Sequence, residues 1–436
     1  MSELDTLQAS TPGTTRKRIG ILCLSAIPDD PRVRRQGDLM TEAGWDVVGI
    51  GLPGHRSAAP AWTCLAIEPA PVTRLPSSDW PAHLIEQRGV PASARRPLMA
   101  LNLAGYNVYR AWRTLRVNIQ PSYAAASFWR LRNDFQRIYE IGLRQNVDLW
   151  LANDWTTLPI AARLAAEQGV PYGYDTHELA VDEYAQSLKW RLLNRALIKG
   201  AEGQAIKGAA FVTCVSDGIA DRLQKIYALD ERPTVIRNTP QYQGHAPRPV
   251  GQTIRVLYHG IVAPGRGLEA SIRSVALWRP EFHLTIRGPA EASYKAELER
   301  IAEEINVSDR ITFDPPVPMT DLVARAAAFD IGLFALPDYS KQNVYVLPNK
   351  FFEYTMAGLA LCVSDLPEMA SLLKRHDLGR LIPHMTPKDI SDAINGFDRA
   401  SIEHYKAAAA VAATSLNWDV EAKRLVEAIN RTVSTA

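Results

Sequence analysis

The residues best suited to chemistry stand together in the run Leu347-Pro348-Asn349-Lys350-Phe351-Phe352-Glu353, within the stretch 343–364 (NVYVLPNKFFEYTMAGLALCVS). Pro348 and Asn349 are helix-start residues and Gly358 is a stop, so the spacing predicts a short helix followed by a buried strand over 360–364. The first turn of a helix leaves backbone N–H groups unpaired and carries the positive end of the helix dipole. Such an end suits an anion, above all a diphosphate, and Lys350 adds a full charge in the same place. Glu353, one turn on, is an acceptor-only carboxylate that fits the paired hydroxyls of a ribose. A carboxylate in the first half of a helix is also favoured by the dipole alone.

A second set of polar residues follows the strand-like runs of the first half. Tyr174-Asp175-Thr176-His177-Glu178 ends one such run, where a polar cluster is more often functional than a core feature. Asn153-Asp154-Trp155 ends the run before it, and Val215-Ser216-Asp217-Gly218 and Asn238 occupy comparable loops. Asp29 or Asp30 ahead of Pro31 reads first as a helix N-cap, with Arg32 then directed at a phosphate or at solvent.

The elements that position these residues alternate short apolar runs with helical patterns, the mark of βα units around parallel sheets. Strands are expected at 19–24, 46–50, 147–152, 172–175 and 210–215, then at 255–258, 283–287, 310–313, 331–335 and 360–364. Helices are expected at 33–43, 128–144, 159–168, 190–207, 268–278, 292–305, 319–328, 350–357 and 418–433. The stretch 239–253 (TPQYQGHAPRPVGQT) lacks periodicity and reads as a linker. The fold class is therefore α/β, with two Rossmann-like domains whose parallel sheets face a cleft. They cover residues 16–240 and 254–415, and residues 416–436 form a C-terminal helix able to pack back on the first domain. Ligands in such sheets bind beyond the carboxyl ends of the strands.

Composition narrows the function. The 436 residues are 47% hydrophobic and 22% charged with a net charge of +2, which does not suit coating nucleic acid. Cys23, Cys64, Cys214 and Cys362 are far apart and form no zinc or disulfide pattern. The polar start of the chain has no apolar core of a signal peptide, so a cytoplasmic protein is expected. A dinucleotide oxidoreductase is disfavoured because Leu24-Ser25-Ala26-Ile27-Pro28 stands where a G-x-G-x-x-G would follow the first strand.

The stretch LPNKFFEYTMAGLALCVSDLPE resembles the donor-binding motif of glycosyltransferase family 4 and its relatives, which have the two-domain GT-B fold. Tyr258-His259-Gly260 with Arg266-Gly267-Leu268-Glu269 resembles the family's first loop of the C-terminal domain. Ile286-Arg287-Gly288-Pro289 and Phe329-Asp330-Ile331-Gly332-Leu333 follow in the family's order. The resemblance implies retaining transfer from a nucleoside-diphosphate sugar to a hydroxyl acceptor, with no metal or other cofactor. It implies Gly260, Arg266, Asn349, Lys350 and Glu353 on the donor side, and Asp30, Arg32, Asp175 and His177 on the acceptor side. His177, Arg266 and Lys350 carry the catalytic expectation. Two positions depart from the pattern. Tyr345 stands where many members have a second acidic residue, and Ile261 where many have an arginine, which leaves Asn343 and Tyr345 as substitutes near the sugar. A non-catalytic nucleotide-sugar-binding protein of the same fold is the alternative.

Segment 88–144 holds Arg88, Arg95, Arg96, Arg110, Arg113, Arg116, Arg130, Arg132, Arg137 and Arg144 against only Asp134 and Glu140, with aromatics interleaved. Arg110, Arg113 and Arg116 share one side of a helix. Such a face suits an anionic membrane surface or a phosphorylated, lipid-linked acceptor. A solvated face packed by its aromatics fits the same residues equally well.

Overall fold

The structure is a computed structural model. It describes residues 16–54, 57–68 and 91–435, with no side chain described at 92, 95, 102, 434 or 435. Residues 1–15, Arg88 and the side chain of Arg95 lie outside the described part.

The described residues form two all-parallel sheets. The first holds β1 (Arg18–Leu22), β2 (Asp46–Gly51), β3 (Thr63–Ala66), β4 (Leu149–Asn153), β5 (Tyr172–Thr176), β6 (Phe211–Cys214) and β7 (Thr234–Val235), in the order β3-β2-β1-β4-β5-β6-β7. The second holds β8 (Ile254–His259), β9 (Phe282–Arg287), β10 (Ile311–Asp314), β11 (Ile331–Phe334), β12 (Ala360–Ser364) and β13 (Gly379–Ile382), in the order β10-β9-β8-β11-β12-β13. Central strands β4 and β12 are buried along their whole length, as expected where helices cover both faces of a parallel sheet. The strand order reverses between β1 and β4 and again between β8 and β11. A crevice for ligands opens at such a switch point.

Each of the ten expected strands has a counterpart. The additional three, β3, β7 and β13, are short and partly exposed, so their apolar pattern is weak. The helix expected at 128–144 is divided into Tyr123–Phe128 and Asn133–Gly142 by a turn at Trp129–Arg132. Residues Ala92–Ile119, read above mainly as a charged segment, form one helix of 28 residues.

Residues 237–253 contain neither helix nor strand. The helix Trp418–Thr435 packs on the first sheet's domain. Trp418, Ala422, Leu425 and Ile429 share a core with Ile19, Ile21, Val33 and Met40. The buried carboxylate of Glu421 accepts from the backbone N–H of Arg237 at 3.1 Å and from its guanidinium at 2.9 Å. The last helix thereby ties the end of the chain to the domain where it began.

Candidate active site

The helix Asn349–Met356 is anchored by its apolar face. Phe351, Phe352, Tyr354 and Met356 are buried, whereas Asn349, Lys350 and Glu353 are only half-buried. Pro348 precedes it in extended conformation and no side chain caps it. The N–H of Phe351 donates to the Pro348 carbonyl at 3.0 Å, which leaves those of Asn349 and Lys350 without a partner among the described residues, as an anion site requires.

Lys350 Nζ lies 4.4 Å from the ring centre of Phe334 and 5.5 Å from that of Tyr258. Burial and the charge of Arg266 draw its pKa down to about 8 against the pull of Glu353. An ammonium held so near neutrality gains much from a diphosphate. The loop after β8 passes beside it. Gly260 has φ 125°, and a Cβ there would come within 3.0 Å of Lys350 Nζ. Gly288, at φ 150°, lies so close to Gly260 that a Cβ would sit 1.9 Å from the Gly260 carbonyl oxygen. Glycine at both positions keeps the two loops flat against each other.

Glu353 Oε2 lies 2.8 Å from Nε2 of the buried His259. Burial pushes the Glu353 carboxyl up, but His259, Lys350 and Arg35 outweigh it and hold the group below the usual range. One carboxylate oxygen is thus engaged, and Oε1 has no partner among the described residues. His259 lies within Tyr258-His259-Gly260, where its neighbours in sequence point to no role of its own. Only its position opposite Glu353, across a sequence gap of nearly a hundred residues, reveals one.

Arg266 is exposed and makes no hydrogen bond or ion pair among the described residues. Its charge acts on Lys350 and Tyr258 in its own domain and on Glu178 and Tyr184 in the other. A free guanidinium between two domain walls is a group awaiting an anion.

On the opposite wall, His177 Nε2 is 3.1 Å from Asn153 Oδ1 and 3.2 Å from Asp175 Oδ2, and Nδ1 is 3.5 Å from Asp154 Oδ2. Burial would lower the His177 pKa, but Asp154 and Asp175 outweigh it and raise the pKa to about 9. Both ring nitrogens face acceptor oxygens, the arrangement that suits a charged ring donating on both sides. Asp154 is the more open carboxylate of the pair and has φ 64°, an uncommon backbone conformation for a residue other than glycine.

Other expected site residues have different duties. Arg32 is 1% exposed and points neither at solvent nor at an open phosphate site. Its guanidinium donates to both oxygens of the fully buried Asp175 at 2.6 Å and to the Ile236 carbonyl at 2.8 Å. Asp175 also accepts from Gln36 and Thr213. Arg32 and Asp175 are positioning residues beneath His177. Asp30 caps the helix Pro31–Glu42, accepting from the N–H groups of Arg32 and Val33 at 3.1 and 3.2 Å. Asn343 donates to the Pro337 carbonyl at 2.8 Å and so closes its own loop. Tyr345 belongs to the contact between domains: its carbonyl accepts from Ser216 at 2.6 Å, and its ring crowds Gly218 and lies under Arg222.

A residue with no earlier signal, Gln342, links the two halves. It is buried, accepts from the Leu179 N–H at 2.6 Å and donates to Glu178. The backbone N–H of Gly218 donates to Glu368 at 2.6 Å, so the segments after β5, β6, β11 and β12 meet in one arrangement. A cavity of about 460 Å³ opens elsewhere, between the helices Pro31–Glu42 and Trp418–Thr435, lined in part by Leu39, Glu42, Trp418 and Ala422. None of the donor-side residues above lines it.

Two parallel-sheet domains with a cation-rich loop face one another across a cleft, the architecture of GT-B proteins. Residues 30–239 match the model of the glycosyl transferase 4-like domain. Comparison with curated proteins gives no match. Among solved structures, the sucrose-phosphate synthase of Thermosynechococcus elongatus superposes with a TM-score of 0.69 at 15% identity, over 97% of this chain and 100% of that one. The HepE protein of Anabaena in complex with UDP-glucose gives 0.64 at 13%, over 95% and 99%. WaaG, a glycosyltransferase involved in lipopolysaccharide biosynthesis, gives 0.59 at 14%, over 93% and 98%. At such identities the likeness shows the fold. The fold is that of the GT-B proteins, and residues 30–239 within it resemble a glycosyl transferase 4-like domain.

Proposed function

We propose that the enzyme takes its sugar from a nucleoside-diphosphate donor held on the C-terminal domain and transfers it to a hydroxyl acceptor on the N-terminal domain. The observation that carries this reading is the convergence of Lys350, the unpaired Arg266 and an uncapped helix start, with Glu353 one turn further on. Charge grows on the diphosphate as the glycosidic bond breaks. Preorganised cations and N–H groups in a secluded site stabilise that charge most effectively. Here the chain's own cations supply the neutralisation, and the mechanism requires no metal ion. His177, charged and fixed by carboxylates, holds Asp154 where an acceptor hydroxyl can meet it. Retention of the anomeric configuration follows from the family resemblance, and glycan, glycolipid or natural-product biosynthesis is the setting.

Glu353 contributes the ribose contact through its open Oε1. Glu353→Ala should weaken binding of the nucleoside diphosphate by roughly tenfold to a hundredfold, the worth of a hydrogen bond to a charged group. Calorimetry reads this directly. Unchanged affinity would remove Glu353 from the donor site.

Lys350 gives the site a pH dependence of known sign. Its pKa of about 8 in the free enzyme means the ammonium is present below that pH. A bound diphosphate favours the charged form and raises the pKa, so affinity should be level from about pH 7 to 8 and fall by up to tenfold per unit above. Affinity unchanged well above pH 9 would show that Lys350 does not touch the diphosphate. Thermal shift with UDP, GDP, dTDP and NAD identifies the base, and donor hydrolysis on whichever binds tests turnover.

A further inference from the structure

The three-residue spacing of Arg110, Arg113 and Arg116 suggested an outward basic face, but the structure turns that side inward. Arg113 is 3% exposed and donates to the Leu193 carbonyl at 3.1 Å, and Arg110 donates to Asn194 at 3.1 Å. Arg116 stays exposed but lies against the rings of Trp112 and Tyr123. What the helix Ala92–Ile119 presents outward is apolar. Leu98, Leu101, Val108, Trp112, Leu115 and Ile119 are between 43% and 76% exposed. Their spacing, with Gly105 filling the one gap, alternates three and four residues and draws a single stripe along three heptads. On the adjoining helix Leu188–Leu193, Leu188 and Leu192 are each 61% exposed.

Among the described residues nothing covers this stripe, and an apolar stripe of this length marks a docking surface. Its charge decides the occupant. Residues 91–133 contain seven arginines and no acidic residue, and the exposed Arg96, Arg116, Lys189 and Arg191 belong to the two helices. The same 3-4 spacing could form a coiled-coil seam. A second copy, however, would bring like charges against like with no carboxylate to pair them. An anionic lipid surface accepts both features at once, the apolar side chains among the acyl ends and the cations among the headgroups.

We infer that the helix Ala92–Ile119 seats its apolar stripe in the interface of an anionic bilayer, and that the acceptor is a lipid-anchored molecule presented from that surface. The second half rests on the transferase reading above. The docking does not. The apolar surface leads toward the reaction cleft, since the chain runs from His177 and the Gln342-bound Glu178 through Tyr184, 50% exposed with its ring 5.9 Å from that of Trp190, to the helix Leu188–Leu193.

The test is flotation of the full chain with vesicles of phosphatidylcholine alone and with about one third phosphatidylglycerol. The wild type should float with the anionic vesicles only, and less so as salt rises. A triple variant, Leu101→Glu, Val108→Glu and Leu115→Glu, should lose at least about tenfold in partition while keeping its circular dichroism and its affinity for nucleoside diphosphate. The nucleotide measurement separates failure of the docking from failure of the transferase reading. No flotation by the wild type, or equal flotation by the variant, overturns the docking. So does a wild-type dimer in sedimentation velocity that the triple substitution converts to a monomer, which would make the stripe a self-contact. If docking holds but turnover with extracted lipid acceptors is no better than with free sugars, the lipid-anchored acceptor is overturned.

Discussion

Lys350→Ala should lower kcat/KM for the sugar-nucleotide donor by about a hundredfold to a thousandfold, the usual loss when one preorganised charge-stabilising donor is removed. The amine lies over Phe334 and beside Gly260, in a pocket where water screens it poorly. Electrostatic interactions are strongest in such surroundings. Arg266 and the helix start remain in the variant, so catalysis should be crippled rather than abolished. The fold should survive, because Lys350 is half-buried and its loss relieves a partly desolvated charge. Lys350→Arg should rescue little, since a Cβ at Gly260 would already sit 3.0 Å from Nζ and the larger guanidinium has no room there. A Lys350→Ala enzyme within about threefold of wild type would show that the ammonium is not part of the transition-state site.

Arg32→Ala carries the second large effect, on stability. It leaves Asp175 buried without its guanidinium partner, and breaking a buried pair in this way costs about 3–5 kcal/mol. The melting transition of the N-terminal domain should fall by about ten degrees, on the usual relation between stability and midpoint for a domain of this size. Burial favours the protonated Asp175, but Arg32 and His177 hold its pKa well below the ordinary carboxylate range. For a depressed acid the stabilisation is full above the unfolded pKa of about 3.9 and is lost as pH falls through the folded value. The wild type should therefore lose this contribution only in strong acid, whereas the variant lacks most of it at neutrality. Because Asp175 also holds His177, activity should fall even where the variant is folded. A midpoint within about two degrees of wild type would mean that the pair contributes no net stability.

The sequence made the helix start proposed for the donor legible because its determinants are local. Pro348, Asn349, Lys350 and Glu353 lie within one short helix, and the helix start alone predicts an anion site. Asp30 could be read as a cap for the same reason. Interactions between distant segments were not legible. Nothing near Arg32 announces Asp175, 143 residues away, and the chain holding both reveals no burial until the sheet is assembled. Gln342 and Glu178 are equally remote, and so are His259 and Glu353. The arginines of the helix Ala92–Ile119 show a different difficulty. Their spacing gave the correct side of the helix but not which side faces the body, because Arg113 satisfies a backbone carbonyl that only tertiary structure brings near. The short edge strands β3, β7 and β13 escaped because half-exposed residues leave no apolar run.

A crystal structure of the enzyme grown with a nucleoside diphosphate tests the central claim most directly. The diphosphate should lie at the start of the helix Asn349–Met356, within hydrogen-bonding distance of Lys350 Nζ and the Arg266 guanidinium, with a ribose hydroxyl on Glu353. A fully occupied nucleotide bound away from that helix start, or an empty helix start at saturating ligand, would contradict it.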